Sequence, residues 1–112
     1  MNELYHYRAT VIKVYDGDTI TVNIDLGFKV SLAKEKIRLY RINAPEMRGE
    51  EKAKGKISRN WLREQILGKE VILVTKKDKK GKYGRWLADV WFDDICMNDE
   101  LVKQGLAEYK SY

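Results

Sequence analysis

The feature that most constrains the fold is a β-hairpin pattern centred on Asp16-Gly17-Asp18. Residues 5–14 carry β-branched and aromatic side chains in partial alternation, and residues 19–24 alternate cleanly between apolar and polar. Such alternation is typical of strands that bury one face. Two strands joined by a tight turn therefore predict an antiparallel sheet at the start of the chain.

The remaining pattern adds further strands and two helices. Strands are predicted at 28–32, 36–42, 70–75 and 86–92, and a short second helix is predicted to be capped by Asn98. A helix over 50–67, ended by Gly68, is predicted from an apolar face made of Ala53, Ile57, Trp61, Leu62 and Ile66. We expect an α+β, mainly β fold in one domain over 1–112: a five-stranded OB-fold barrel with an inserted helix and a short C-terminal helix.

The composition restricts the partners and the kinds of catalytic or metal site that the chain can have. The 112 residues carry 22 Lys and Arg against 17 Asp and Glu, a net charge of +5, which favours a polyanionic partner such as nucleic acid. Many small basic proteins nevertheless bind no nucleic acid specifically. One His and one Cys exclude His/Cys zinc sites and an internal disulfide. A hydrolase of this composition would use a carboxylate base and a hard, oxygen-ligated metal ion. His6 and Cys96 are interpreted as structural.

The apolar runs of the sequence bear on where the protein is located. The first residues contain no apolar segment of a signal peptide, and no run approaches the ~20 apolar residues of a membrane span. We expect a cytoplasmic protein with no membrane association, or a secreted one whose leader has been removed.

Three short segments carry residues suited to phosphodiester chemistry: Asp16-Gly17-Asp18-Thr19, Arg38 with Asn43-Ala44-Pro45-Glu46, and Lys82-Tyr83-Gly84-Arg85. Together they supply carboxylates for a cation, a lone carboxylate for a base and two arginine forks for a phosphate. Each segment alone has a simpler interpretation, as a tight turn, a strand end before a helix, or a solvated loop. Their joint presence in one chain argues against three coincidences.

These segments, with Leu101-Val102-Lys103-Gln104-Gly105-Leu106-Ala107, resemble the staphylococcal-nuclease-like (thermonuclease) family over nearly the whole chain. The resemblance implies an OB-fold barrel and a calcium-dependent hydrolase of DNA and RNA. Such an enzyme cuts the bond to the 5′ oxygen and leaves 3′-phosphate ends. We expect single-stranded substrate to be favoured and the protein to be a monomer.

The resemblance also implies a role for each matching residue. Asp18 matches the direct Ca²⁺ ligand, with Asp16 and Thr19 supporting it, and Asn43 and the carbonyl of Ala44 could complete the site. Glu46 matches the general base that activates water. Arg38 and Arg85 match the phosphate clamps, and Lys82 and Tyr83 match the pair that contacts a terminal phosphate.

Two departures from the family pattern matter. Asn43 stands where the family often has an aspartate, which predicts weaker calcium binding. The chain stops at Tyr112, where longer members continue through another helix, so a dimer is possible if a partner covers that gap. The alternative function is a non-catalytic OB-fold module that binds nucleic acid or a protein.

Overall fold

The computed structural model describes the backbone of residues 5–80 and 86–110. The strands are β1 (His6–Asp16), β2 (Thr19–Gly27), β3 (Val30–Leu39), β4 (Ile42–Asn43), β5 (Glu70–Lys80), β6 (Trp86–Phe92), β7 (Ile95–Cys96) and β8 (Glu108–Tyr109). The α-helices are α1 (Lys52–Ile66), preceded by a 3₁₀ turn at Gly49–Glu51, and α2 (Met97–Lys103). No helix in these two ranges is both long enough and apolar enough to span a membrane.

Five strands close into a barrel. Strands β3, β2, β1, β5 and β6 pair in that order through antiparallel ladders. The barrel closes where β3 meets β6 in parallel, with Ile37 opposite Trp86 and Leu39 opposite Ala88. Closure removes the exposed sheet edges that a small open sheet would leave. The predicted OB-like α+β fold is confirmed.

The β2–β3 hairpin is longer than the sequence pattern indicated. Strands predicted separately at 28–32 and 36–42 are wrong, because one strand, β3, runs from Val30 to Leu39. The ladder continues through a register shift between Val22 and Ile24, where the extra residue of a bulge interrupts the alternation. Phe28 and Lys29 form the turn, both with positive φ.

Helix α1 packs on the barrel through a face that matches the predicted one in part, since Leu62 and Ile66 are fully buried and Trp61 packs against the core. Its buried residues are Gly55, Ser58, Leu62 and Ile66. Ile57 is 60% exposed and Ala53 is also exposed, so their assignment to the apolar face is wrong. Gly68 does end the helix region with a φ of +77°, and its N–H donates to the carbonyl of Val11.

Asn98 does not cap α2 as predicted. It is the second residue of the helix and is fully buried. Its amide oxygen accepts the N–H of Val90, and its amide nitrogen donates to the carbonyls of Tyr40 and Ala88. A buried amide with these partners joins α2 to the barrel, because leaving any of them unpaired would cost free energy. Cys96 is buried, in accord with a structural thiol.

A second polar cluster joins the β3–β4 turn to α2. Arg41 adopts a φ of +71° and pairs with Asp89 at 3.1 Å and Asp99 at 3.0 Å. Tyr109 donates its hydroxyl to Asp99 at 2.9 Å. The bond from Arg41 lowers the pKa of Asp99, whereas burial raises the pKa of Asp89. This cluster fixes the start of the segment that carries Asn43.

Candidate active site

The β1–β2 turn and the segment after β4 meet at one end of the barrel. Thr19 lies opposite Arg38 in the β2–β3 ladder, which places the turn beside the end of β3. The Ala44 N–H donates to Oδ2 of Asp18 at 2.8 Å, and the Leu39 N–H donates to the Asp18 carbonyl at 2.8 Å. Residues 26 positions apart in sequence are therefore joined directly.

A buried charge pair occupies the centre of this junction. Nη2 of Arg38 lies 3.4 Å from Oδ2 of Asp18, and the side chains are 11% and 8% exposed. Nη2 also donates to Oδ1 of Asn43 at 3.3 Å. Nη1 donates to the carbonyls of Leu39 at 2.8 Å and Ile42 at 3.0 Å. The guanidinium is thus held in one orientation by backbone and side-chain acceptors.

Asp16 and Thr19 both hydrogen-bond with Asp18, and their supporting role in a metal site stays a prediction. Oδ1 of Asp16 accepts the Asp18 N–H at 3.0 Å, and the Thr19 hydroxyl donates to Oδ1 of Asp18 at 3.2 Å. Burial raises the pKa of Asp16 to about 7, and a side-chain hydrogen bond with Asp18 and the negative charge of Asp18 act in the same direction, whereas the bond from the Asp18 N–H acts against it. Arg38 opposes this shift without cancelling it. The turn therefore gathers negative charge that a cation would stabilise.

The donor set fits a hard divalent cation. Asp16 and Asp18 provide neighbouring carboxylates, and the exposed Asn43 adds an amide oxygen. Within residues 5–80 and 86–110 no group of three or more His, Cys, Asp and Glu is placed to hold a metal. Ala44 meets Asp18 through its N–H, so coordination by its carbonyl stays a prediction. A site with two carboxylates would bind calcium weakly.

Glu46 lies on the loop between β4 and the 3₁₀ turn, with its side chain 63% exposed. Its carboxylate accepts Nε of Arg48 at 3.4 Å, and its N–H donates to Glu51 at 3.2 Å. In the described part of the chain, the Glu46 carboxylate makes no hydrogen bond or ion pair with Asp18 or Arg38. The structure thus leaves this carboxylate open to solvent, and its catalytic role stays a prediction.

Two glycines set the approach of α1 to the site, which the sequence reasoning missed. A Cβ on Gly17 would lie 2.8 Å from the Cβ atoms of both Ala44 and Ser58. A Cβ on Gly55 would lie 2.2 Å from the carbonyl oxygen of Glu46. Gly17 is not in the left-handed region, so close packing explains it better than turn geometry. The signal in the sequence was Gly55, since a glycine inside a helix lowers helix stability by ~1 kcal/mol relative to alanine.

The third sequence motif falls on a segment that is not described. Lys82, Tyr83 and Arg85 lie outside the described residues, so their assignments as phosphate contacts and second clamp stay predictions. The structure brings together Asp16, Asp18, Thr19, Arg38, Asn43 and Ala44 from the first two motifs. These six residues form the junction named here the Asp18–Arg38 site.

Known proteins share this sequence pattern. A family model described as Staphylococcal nuclease homologue matches residues 36–112. The thermonucleases of Staphylococcus intermedius and Staphylococcus hyicus are 34% and 32% identical over 105 residues, which is 91% of this chain and 59% of theirs. An "uncharacterized endonuclease" of Haemophilus influenzae is 39% identical over 103 residues, 91% of this chain and 52% of its own.

The chain therefore spans between half and three fifths of the length of these relatives. Its similarity to the thermonucleases extends across both described motifs of the Asp18–Arg38 site, and the family model covers more than half of the chain. The barrel and its inserted helix agree with the fold that the sequence resemblance implied. On these grounds the chain belongs to the staphylococcal nuclease homologue family.

Proposed function

We propose that this protein is a calcium-dependent nuclease that hydrolyses phosphodiester bonds of DNA and RNA and leaves 3′-phosphate ends. The observation that carries the proposal is the direct junction of Asp18, Arg38 and Asn43 at one end of the barrel. The junction puts carboxylates for a cation beside a guanidinium for a phosphate. The names of the related thermonucleases and endonuclease support the same activity.

Asp18 and Asp16 would hold the cation, with Asn43 as a neutral oxygen ligand. When bound, calcium would polarise a phosphoryl oxygen and neutralise the charge that develops there. Burial is the largest cause of the raised pKa of Asp16, and a cation held beside Asp16 and Asp18 would favour the charged form of that carboxyl. Thr19 keeps the Asp18 carboxylate in position through its hydroxyl.

Arg38 would bind the scissile phosphate. Two backbone carbonyls fix Nη1, whereas Nη2 faces the side chains of Asp18 and Asn43. If Asp18 and Asn43 held a cation, Nη2 would be the guanidinium nitrogen left to donate to a phosphoryl oxygen. A guanidinium positioned before the substrate arrives stabilises the transition state without reorganising. Arg85 is proposed as the second clamp.

Glu46 would act as the general base. It takes a proton from a water molecule whose oxygen attacks phosphorus, the bond from phosphorus to the 5′ oxygen breaks, and that oxygen takes a proton from solvent. The exposed carboxylate can reach a substrate on the surface, and its partner Arg48 is itself exposed. A surface ion pair of this kind is weak and yields easily to substrate.

The second candidate is a non-catalytic module that binds nucleic acid. Asn43 in place of a carboxylate and the four protein acceptors already around Arg38 favour it. In that case Arg38 would be a structural cation, and the basic chain would bind nucleic acid without cutting it. The two candidates differ in whether turnover depends on a metal ion.

The deciding experiment is digestion of a 5′-labelled single-stranded DNA with calcium or with a chelator. We expect cleavage only with calcium, and products that lose their terminal phosphate to a 3′-phosphatase. We also expect Glu46→Gln to lower kcat at least 100-fold. Glu50→Gln, an exposed residue of the 3₁₀ turn, is the matched control. Binding of DNA without cleavage at high calcium would replace the nuclease with the binding module.

A further inference from the structure

A cleft opens between the β2–β3 hairpin and the body of the barrel. Strand β3 pairs with β6 only from Ile37 to Leu39, so its first seven residues leave the barrel wall. The gap has a volume of about 290 Å³. Its lining includes Tyr5, Tyr7, Leu26, Leu32, Ile37 and Trp86. None of these residues belongs to the Asp18–Arg38 site.

The lining has the chemistry of a stacking site. Tyr7 and Trp86 are half-buried rings packed against the core, and Leu26 and Leu32 are exposed apolar side chains on the hairpin wall. Nε1 of Trp86 donates to Glu35 at 3.0 Å, which holds the indole in place. Rigid aromatic rings beside an apolar wall accept a planar ring at little cost in side-chain entropy. The volume is at the lower end for ligand pockets, which suits one planar base.

The charge around the cleft favours a polyanion. Lys76 lines the cleft, and the hairpin carries the exposed Lys29 and Lys34. Two carboxylates lie nearby and keep their negative charge while they accept hydrogen bonds, Glu35 from Trp86 and Asp25 from the Gly27 N–H at 2.7 Å, so the three lysines outnumber them. The whole chain has a net charge of +5. A peptide or second protein with an apolar side chain would gain less from these lysines than a nucleic acid does.

The cleft and the proposed site of hydrolysis lie on opposite faces of the same part of β3. Ile37 lines the cleft and immediately precedes Arg38, and successive residues of a strand point to opposite faces. Because β3 is paired with β2 and with β6 at Ile37, a bound strand cannot pass directly through the barrel wall between the two places. We propose that this cleft binds a base of single-stranded nucleic acid outside the Asp18–Arg38 site, a subsite that rests on the proposed nuclease function.

The subsite is tested by measuring oligonucleotide binding in the presence of a chelator, so that the probe is not cleaved. The probes are an octathymidylate and eight versions of it, each with one abasic position. We expect one position, or two adjacent ones, at which loss of the base weakens binding by about tenfold, because base stacking on aromatic side chains supplies affinity of this order. Trp86 fluorescence should change when the intact probe binds and stay constant when the probe that lacks the critical base binds. The Trp86→Phe variant, which should lose this change, shows that the signal comes from Trp86.

A second experiment fills the cleft with a larger side chain. Leu32→Trp should lower affinity for the intact probe to that of the critical abasic probe and abolish the position dependence. Ile12→Trp is the matched control, since Ile12 is equally exposed on β1 and does not line the cleft. Equal binding of all nine probes, absence of binding, or equal effects of both tryptophan variants would overturn the subsite. Position-dependent binding without calcium-dependent cleavage would keep the subsite and reject the nuclease.

Discussion

The carboxylate of Asp18 lies 3.4 Å from the guanidinium of Arg38, and both side chains are almost fully buried. Asp18 comes from the β1–β2 turn and Arg38 from the end of β3, so the pair joins the two motifs that the structure describes. Removal of one member of a buried pair leaves the other without compensation. The same contact that organises the site therefore also stabilises the fold.

Asp18→Asn should lower the free energy of unfolding by about 3 kcal/mol in chelator, because Arg38 would remain buried without a counter-charge. It should also abolish calcium-dependent cleavage. Urea denaturation followed by tryptophan fluorescence gives the stability. The control is Asp94→Asn, an exposed carboxylate in the β6–β7 turn. If both variants are equally stable, the pair contributes no net stability.

Asn43→Asp should bind calcium about tenfold more tightly than the wild type, because it adds an anionic ligand to a site with two carboxylates. The new carboxylate would also face Nη2 of Arg38, which is 3.3 Å from the present amide oxygen. Isothermal titration calorimetry with calcium alone, without nucleic acid, measures the change. Asn23→Asp, on the exposed part of β2, is the control. Equal or weaker affinity in Asn43→Asp would contradict the ligand assignment.

The barrel was predictable because its strands alternate. Residues 19–24 bury every second side chain almost without exception, so the pattern identified β2 correctly. The pattern failed at the β2–β3 bulge, where one inserted residue changes which side faces inward. It also failed at Asn98, whose partners are backbone groups of the β3–β4 turn and of β6 that no local pattern reveals.

The helix face shows a second reason for failure. Hydrophobicity favoured Ile57, but the helix turns Gly55 toward the loop after β4 and Ser58 toward Gly17, where only small residues allow this close approach. For the site, the resemblance identified Asp18, Arg38 and Asn43, and the structure joins them. Their contacts with carbonyls and with one another depend on chain segments that meet only in the folded barrel.

Arg41→Gln tests the polar cluster through its pH dependence. Because Arg41 lowers the pKa of Asp99 below 3.8, its stabilising effect is present above that value and is lost as the pH falls through the lowered pKa. The variant should therefore cost about 1–2 kcal/mol at pH 7 and progressively less as the pH falls, first when Asp89, whose pKa is raised, takes up a proton and then, below pH ~3.8, when Asp99 does. Glutamine keeps the Cβ, so backbone strain at the positive φ is unchanged.

Thermal or urea unfolding of both proteins from pH 7 to pH 2.5 gives the difference directly. Arg8→Gln is the control, since its pair with Glu70 is 3.4 Å long and both side chains are more than 60% exposed. A difference between wild type and Arg41→Gln that stays constant over the whole range would show that the arginine acts through packing and not through Asp99.

Gly55→Ala would stabilise an isolated helix by ~1 kcal/mol. Here the added methyl group would lie 2.2 Å from the carbonyl oxygen of Glu46, so the loop or the helix must move. We expect a loss of about 2 kcal/mol in stability, typical of overpacking. We also expect a fall in kcat of at least tenfold, because the displaced backbone carries the proposed base. Lys56→Ala, exposed on the same helix, should change neither quantity. A Gly55→Ala protein with lower stability but unchanged kcat would show that the position of Glu46 does not limit hydrolysis.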